Sequence, residues 1–402
     1  MKDNYDVIIV GGGIAGVSAA EAVRKQNSQA SILLVAQEEF LPYYRVRLST
    51  YVHRQLDATE IALHLLSWYE DNHITLLMGK IIVKIFSEGK SVLLQTGEEV
   101  SYGTLVLTMG SRNFIPPLSG LDRLGVLTIR SIADIYSLQE KIQRVEHVIV
   151  AGGGLLGLEM AWGLREKGLK VSVVEFFSWL LPKQVGRDGS KVIERILLDQ
   201  GIQLYLGKSI EEIQGNEKIE SVRFKDGLIL SCQMVIFSTG ITPELSALVE
   251  SGVLYEKGII VDARMQTNLS DIYAAGDIAQ YKGRIWGLWL VAQEQGRIAG
   301  TNAAGGVATY QEILPTPVLR IGKTSIFSVG DVSDQPNTVM LTSEGSGYDY
   351  RQIMIRDGII IGGVCIGNIT KGPKIKAAIE NQRNISDLLS DSQQADDVLN
   401  RL

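Results

Sequence analysis

The chain has 402 residues, 45% apolar and 21% charged, with a formal net charge of −6. That length is too great for one small core and predicts two or three domains. The acidic balance gives no basis for a nucleic-acid or anionic-membrane partner, and the two cysteines, Cys232 and Cys365, exclude a disulfide framework, a C-x-x-C pair and a cysteine-ligated cluster.

The chain enters a predicted strand, residues 7–10, almost at once, which leaves no room for a signal peptide. No run of about 20 apolar residues is free of charge. Together with the sparse cysteines, this leads to the expectation of a cytoplasmic protein. Residues 16–25 read as a helix with Val17, Ala20 and Val23 on one face, and 32–35 as the next strand, completing a β-α-β unit. Residues 36–75 are less regular. Strand-like pieces follow at 81–86, 92–95 and 105–108, before Pro116-Pro117 breaks the chain.

Residues 148–151 open a second β-α-β unit, with a helix over 156–167, Gly168 at its end, and a strand over 171–174 that leads into Glu175. Residues 235–240 close this unit, and 259–279 resume the texture of the first. Pro315 and Pro317 mark a boundary. Beyond it, 326–328, 350–355 and 359–366 read as strands, Asp357-Gly358 as a turn and 373–389 as a helix. The polar end, 390–402, is expected to fray. The predicted fold is α/β: two Rossmann-like three-layer nucleotide-binding domains, 1–112 with 242–314 and 113–241, plus a small α+β C-terminal domain, 315–402.

Each β-α-β unit carries a glycine fingerprint, Gly11-Gly12-Gly13-Ile14-Ala15-Gly16 and Gly152-Gly153-Gly154-Leu155-Leu156-Gly157. A pyrophosphate needs donors at close range, and a helix N-terminus offers free N–H groups and partial positive charge. Gly11 allows the tight turn, Gly13 lets backbone approach phosphate, and Gly16 lets helix and strand pack closely; Gly152, Gly154 and Gly157 repeat those roles. One such fingerprint is weak. Two in strand–turn–helix context ask for two dinucleotides, and in a single soluble chain the usual pair is a bound flavin and a diffusing nicotinamide.

An acid after the second strand should bind ribose hydroxyls. Glu175 supplies it in the second unit and would repel a 2′-phosphate, which favours NADH over NADPH; Lys183 and Arg187 lie close enough to soften that preference. In the first unit the strand ends at Ala36-Gln37-Glu38, so Glu38, with Gln37, is the displaced acid, with a solvated loop charge as the alternative. Asp277, after Ala274-Ala275-Gly276, holds a ribityl hydroxyl or else caps a helix. His53, His64, His73 and His147 show no metal-ligand spacing, and no metal is expected.

With these residues in place the chain resembles the FAD-dependent pyridine-nucleotide reductases built like glutathione reductase. The closer match is the branch without a redox cysteine: NADH:rubredoxin reductases, ferredoxin reductases of oxygenase systems, apoptosis-inducing factor and the flavin part of assimilatory nitrite reductases. The pieces that carry it are the two fingerprints, Leu41-Pro42-Tyr43-Tyr44-Arg45, Thr108-Met109-Gly110-Ser111, Ser238-Thr239-Gly240 and Tyr273-Ala274-Ala275-Gly276-Asp277. Ile326-Phe327-Ser328-Val329-Gly330 resembles the start of the C-terminal domain of the rubredoxin-reductase and nitrite-reductase subgroup.

The resemblance implies an FAD site in which Arg45 contacts the cofactor, Ile82 meets the adenine, and Thr108, Gly110, Gly276 and Asp277 take part. Gly240 belongs with the NAD side. Glu159 is implied as the catalytic acid near flavin N5 and the nicotinamide. Thr50 stands where many members place the lysine that pairs with it, and Arg47 or Lys183 is the candidate substitute. Trp289 and Gln293 fall in the segment that borders the isoalloxazine, with packing at a helix start as the alternative.

Three activities stay open. Hydride passes from NADH to FAD and electrons go on singly to a rubredoxin- or ferredoxin-like protein or a partner subunit; or the reduced flavin reacts with oxygen, as an NADH oxidase; or the chain is a non-catalytic NADH-sensing subunit. Relatives with thiol chemistry place a cysteine near residues 48–50, and this chain has none there. Cys232 and Cys365 read as buried small hydrophobes. The third domain could cover the flavin, form a homodimer contact, or both.

Overall fold

The computed structural model describes residues 2–389 and 392–402. Asn4–Val10 lies within a seven-stranded sheet, between parallel partners Ile32–Ala36 and Glu99–Leu107. Ile74–Met78 and Ile272–Ala274 extend the parallel part, while Ser91–Leu94 and Ile82–Phe86 add antiparallel strands. From Val7 to Val10 every residue is buried, as befits a strand covered on both faces. Helix Ile14–Gln26 packs against helix Trp289–Ala303. A Cβ on Gly296 would lie 2.2 Å from the Ala15 carbonyl oxygen, and one on Gly300 2.2 Å from that of Ala19. Small residues one turn apart on both helices therefore set the spacing.

The second sheet runs Gln203–Leu206, Lys170–Glu175, His147–Ala151, Met234–Phe237, Val126–Thr128, all parallel. Val148 and Val150 pack with helices Ile132–Lys141, Leu155–Glu166 and Arg187–Asp199; Ile149 and Ala151 pack with a three-stranded antiparallel ribbon, Ile210–Gln214, Ser221–Phe224, Ile229–Ser231. The period-2 alternation of one short strand thus separates two layers. Two crossings join this unit to the first, and they pair with each other: Ser111–Asn113 lies antiparallel to Ile241–Pro243.

The third sheet is antiparallel, in the order Val318–Ile321, Thr324–Gly330, Ile359–Gly367, Tyr350–Arg356, Val339–Glu344. One face, with Leu319, Ile321, Tyr350 and Val364, packs on the second unit's helices. The other, with Phe327, Ile353 and Cys365, is covered by Gly372–Glu380 and Ala395–Arg401.

Two expectations are corrected here. The helix predicted over 373–389 ends at Glu380, with Gln382 at φ 48°, and resumes only as Ser386–Leu389. The end of the chain does not fray from Ala395 onward; residues 390 and 391 of the expected tail lie outside the described residues. Ala395, Val398 and Leu399 form a buried stripe at helical spacing, and Asp396 pairs with Arg351 and Lys371. Polar composition hid three apolar residues. Among the described residues no helix is long and apolar enough to cross a membrane.

Candidate functional site

The two fingerprints fold into the same turn. Gly11 and Gly152 have φ of 122° and 123°, and a Cβ on either would collide with a carbonyl oxygen, that of Thr108 at 2.1 Å or Ser238 at 2.2 Å. A Cβ on Gly16 or Gly157 would sit 1.9 or 2.0 Å from the oxygen of Gly11 or Gly152. The fold itself requires these four. It does not require Gly13 and Gly154, whose φ values are −83° and −82° and whose Cβ would meet no atom within 4 Å. What they leave is open space at the N-termini of helices of 13 and 12 residues. Free N–H groups and the helix dipole make that space suitable for a pyrophosphate.

A cavity of about 810 Å³ opens above the first fingerprint. It brings together Gly11, Gly13, Ile14, Ala15, Gln37, Glu38, Arg45, Ile82, Thr108, Gly110, Gly276, Asp277 and Trp289. Leu156, on the second fingerprint's helix and half exposed, lines the same cavity. Gly16 stays behind the turn. No residue of the C-terminal sheet forms part of the wall.

The polar groups are held by one another. Glu38 accepts from Arg45 Nη2 at 2.6 Å and from the Tyr43 hydroxyl at 2.7 Å. It is a paired group and not a solvated loop charge. Burial pushes the Tyr43 hydroxyl well above its ordinary pKa. Asp277 Oδ2 accepts from Arg130 Nη2 at 2.9 Å and Ser111 Oγ at 2.8 Å, so its carboxylate is fixed in place and caps no helix. Both bonds fall on one oxygen, which leaves Oδ1 for a ligand hydroxyl. Gly276 N donates to the buried Gln295 Oε1 at 3.0 Å. Thr108 Oγ1 bonds the Val10 carbonyl at 2.9 Å, tying the first turn to the neighbouring strand.

Glu159 has a different partner from the expected one. Its Oε2 accepts from Ser49 Oγ at 2.7 Å, while Thr50 is exposed. The reason is local. Arg45–Val52 is a 3-10 helix with three residues per turn, so Ser49 follows Val46 on one line and Thr50 turns away. Val46 and Leu156 line the cavity, and Ser49 and Glu159 each lie three residues on, one turn behind the wall. Burial raises the Glu159 carboxyl pKa, which the Ser49 bond partly offsets. Neither suggested substitute for the lysine reaches it: Arg47 lies 4.7 Å over the Tyr44 ring, and Lys183 is exposed.

Trp289 stacks on Tyr44, ring centroids 5.5 Å apart, at the cavity wall. Gln293 points to solvent and takes no part in the wall; Gln295 is the glutamine of that helix that serves the site. Sequence reasoning also missed Arg130 and Ser111, which line the cavity and hold Asp277. Ser111 closes the Thr108-Met109-Gly110-Ser111 motif. Arg130 carried no local signal, because its partner lies 147 residues away.

In the second unit Glu175 sits under the fingerprint: Oε2 accepts from Gly153 N at 2.6 Å and Oε1 from Phe177 N at 2.8 Å. Leu155 begins the fingerprint helix. Gly240 has φ 112° and open space where a Cβ would stand. Arg187 lies 4.8 Å over the Trp179 ring. Both cysteines are buried, and burial pushes each thiol up to about 12.

Residues 5–296 match the family model described as pyridine nucleotide-disulphide oxidoreductase, and residues 315–383 match the rubredoxin NAD+ reductase C-terminal domain. The chain is 31% identical over 385 residues to nitrite reductase [NAD(P)H] of Bacillus subtilis, covering 95% of this chain and 48% of that one. The chain thus spans about half the length of that relative. It is 29% identical over 397 residues to NADH-rubredoxin oxidoreductase of Clostridium acetobutylicum, covering 98% and 99% of the two chains. The crystal structure of NADH:rubredoxin oxidoreductase from that organism superposes with a TM-score of 0.83 at 27% identity, covering 99% of this chain and 100% of that one.

Proposed function

This chain belongs to the pyridine nucleotide-disulphide oxidoreductase family, and on that premise we propose that it is an FAD-containing, NADH-dependent reductase that passes electrons to a small redox protein or a partner subunit. One observation carries the reading: Leu156 of the second fingerprint helix lines the cavity of the first, so the two dinucleotide sites meet. FAD occupies the domain of residues 1–112 with 242–314, NADH docks on 113–241, and 315–402 is the separate C-terminal domain.

Bound FAD supplies a two-electron acceptor for hydride and a one-electron donor for the redox partner. The chain's own residues bind and orient. Gly13 and Gly154 give each pyrophosphate its place on a helix N-terminus. Glu38, steadied by Arg45 and Tyr43, faces the first ribose with Gln37, and Asp277 presents Oδ1 to a ribityl hydroxyl. Glu175 takes the ribose of NADH and disfavours a 2′-phosphate. Ser49 fixes Glu159 one turn behind the nicotinamide wall, and the Tyr44–Trp289 stack keeps water from the cavity edge. No thiol serves the reaction, despite the family's name: both cysteines are buried away from the cavity with their thiols protonated. The match of residues 315–383 to the rubredoxin reductase C-terminal domain supports a small redox protein as acceptor. The sparse, buried cysteines favour a reducing compartment, the cytoplasm.

The test is an anaerobic NADH titration followed at the oxidised-flavin band, then admission of air. Full bleaching with slow reoxidation is expected. Instant reoxidation would make the chain an oxidase, and no bleaching would overturn the catalytic reading.

A further inference from the structure

We propose that a second cavity, between helix Arg187–Asp199 of the second unit and the hairpin of strands Val339–Glu344 and Tyr350–Arg356 in the third, binds a small zwitterion of the free amino-acid class. The site shares no residue with the dinucleotide cavity.

The cavity holds about 260 Å³, below the roughly 300–1,000 Å³ of pockets for drug-sized ligands, so its occupant is smaller than a nucleotide. Tyr350, 2% exposed, lines it as an apolar floor, and its hydroxyl already donates to Gln352 Oε1 at 2.8 Å. A Cβ on Gly189 would stand 3.5 Å from the Tyr350 ring, so a glycine there lets the helix approach that floor. On the hairpin side Gly347, at φ 69°, has open space where a Cβ would stand. Its carbonyl accepts from Arg195 Nη2 at 3.0 Å, and the Arg195 guanidinium lies 5.4 Å over the Tyr348 ring. The hairpin thus holds one cation of the helix at the mouth of the cavity.

The charges of the lining balance. Lys191 and Arg195 stand one helical turn apart, and Asp188 and Glu344 supply the opposite sign. The remaining carboxylate, Asp349, is already engaged: Oδ1 accepts from Asn368 N at 2.8 Å and Oδ2 from Arg351 Nη2 at 3.3 Å. Among the described residues Arg195 and Glu344 enter no ion pair, and the Thr342 side chain no hydrogen bond. Lys191 and Asp188 pair at 2.8 Å with side chains 72% and 46% exposed, a contact weak enough to open for a ligand. A simple anion would meet Glu344 and Asp188, and a simple cation would meet Arg195 and Lys191. A molecule with one carboxylate and one ammonium answers both signs. Its carboxylate takes the remaining N–H groups of Arg195, its ammonium donates to Glu344, and the Thr342 hydroxyl serves either.

The experiment is calorimetry on the flavin-loaded full chain, with glycine and L-glutamine as zwitterions and acetate and methylammonium as single-charge controls. At least one zwitterion should bind saturably. Each control should bind roughly tenfold more weakly or worse, since losing a hydrogen bond to a charged group weakens binding by about that factor. Glu344→Gln removes the charge of a side chain that pairs with nothing among the described residues. Its melting temperature should therefore match wild type while zwitterion affinity falls roughly tenfold. Arg195→Gln should lower that affinity as much, and the melting temperature as well, because the bond to Gly347 goes with it. Acetate or methylammonium bound as tightly as the zwitterions would make the cavity a single-charge site and overturn the proposal. Zwitterion binding that survives Glu344→Gln unchanged, or no saturable binding of either zwitterion, would overturn it too.

Discussion

Arg130 and Asp277 meet at 2.9 Å, although Arg130 follows the edge strand of the second sheet and Asp277 follows a strand of the first. The pair is partly buried, and Arg130 also donates to Ser111 through both its Nε and its Nη2. One guanidinium therefore fixes the carboxylate assigned to the flavin and ties the two sheets together at the cavity.

Arg130→Ala should weaken flavin retention. A lost bond to a charged group costs about 1–3 kcal/mol, a factor of roughly ten. Flavin absorbance per protein after dialysis reads it directly. Arg130→Lys should recover only part, because a lysine cannot reproduce the fork. Full flavin retention in Arg130→Ala would remove the residue from the site.

The glycines should divide into two classes. Gly11→Ala forces a left-handed φ and a collision with Thr108, and should cost about 1–3 kcal/mol or more of stability. Gly13→Ala meets neither obstacle, so its melting curve should change by no more than about 1 kcal/mol, the N-cap effect. Its flavin affinity should nonetheless fall at least about tenfold, since the methyl fills ligand space. Gly152→Ala and Gly154→Ala should repeat the contrast for NADH. Loss of stability in Gly13→Ala with unchanged flavin content would reverse the assignment.

Glu159 gives a pH prediction. Burial holds its carboxyl above the ordinary value of 4.5. A raised pKa contributes stability that is fully present below the unfolded value and lost as pH rises through the folded one. Glu159→Gln abolishes the titration and keeps an acceptor for Ser49. Its melting temperature should match wild type near pH 4 and exceed it increasingly toward pH 8. Parallel pH profiles would contradict a buried, charge-disfavoured Glu159. Ser49→Ala removes the bond that favours the ionised form, so its deficit should be larger at pH 8 than at pH 4.

Cys232 and Cys365, buried with thiols pushed up to about 12, should resist iodoacetamide at pH 8 in the folded protein and react fully in denaturant. The double variant C232A/C365A should retain NADH-dependent bleaching. Bleaching lost while the fold persists would restore a thiol step.

Much of this was legible in the sequence because it is local. The fingerprints, their helices and Glu175 depend on neighbours a few residues apart, and their glycines announce themselves. The strands at Asn4–Val10 and His147–Ala151 show as short apolar runs. Helix Arg187–Asp199 has its apolar stripe, Ile193, Ile196 and Leu197, in the sequence as well, interleaved with charged residues. Arg130 and the Ser49–Glu159 bond were not legible. Each joins residues more than a hundred positions apart, and the choice of Ser49 over Thr50 turns on a 3-10 rather than an α-helical twist, which apolar periodicity does not distinguish over eight residues.

The paired crossings have a mechanical consequence. Two separate tethers would let the nucleotide units rock about many axes, but Ser111–Asn113 and Ile241–Pro243 are bonded into one strap. A glycine stands at each end of it: Gly110, φ 71°, bonded to Glu244 N, and Gly240, φ 112°, bonded to Phe114 N. Swivelling is confined to those two points, like a door on two pins. Stiffening either pin with alanine should slow any opening between the units.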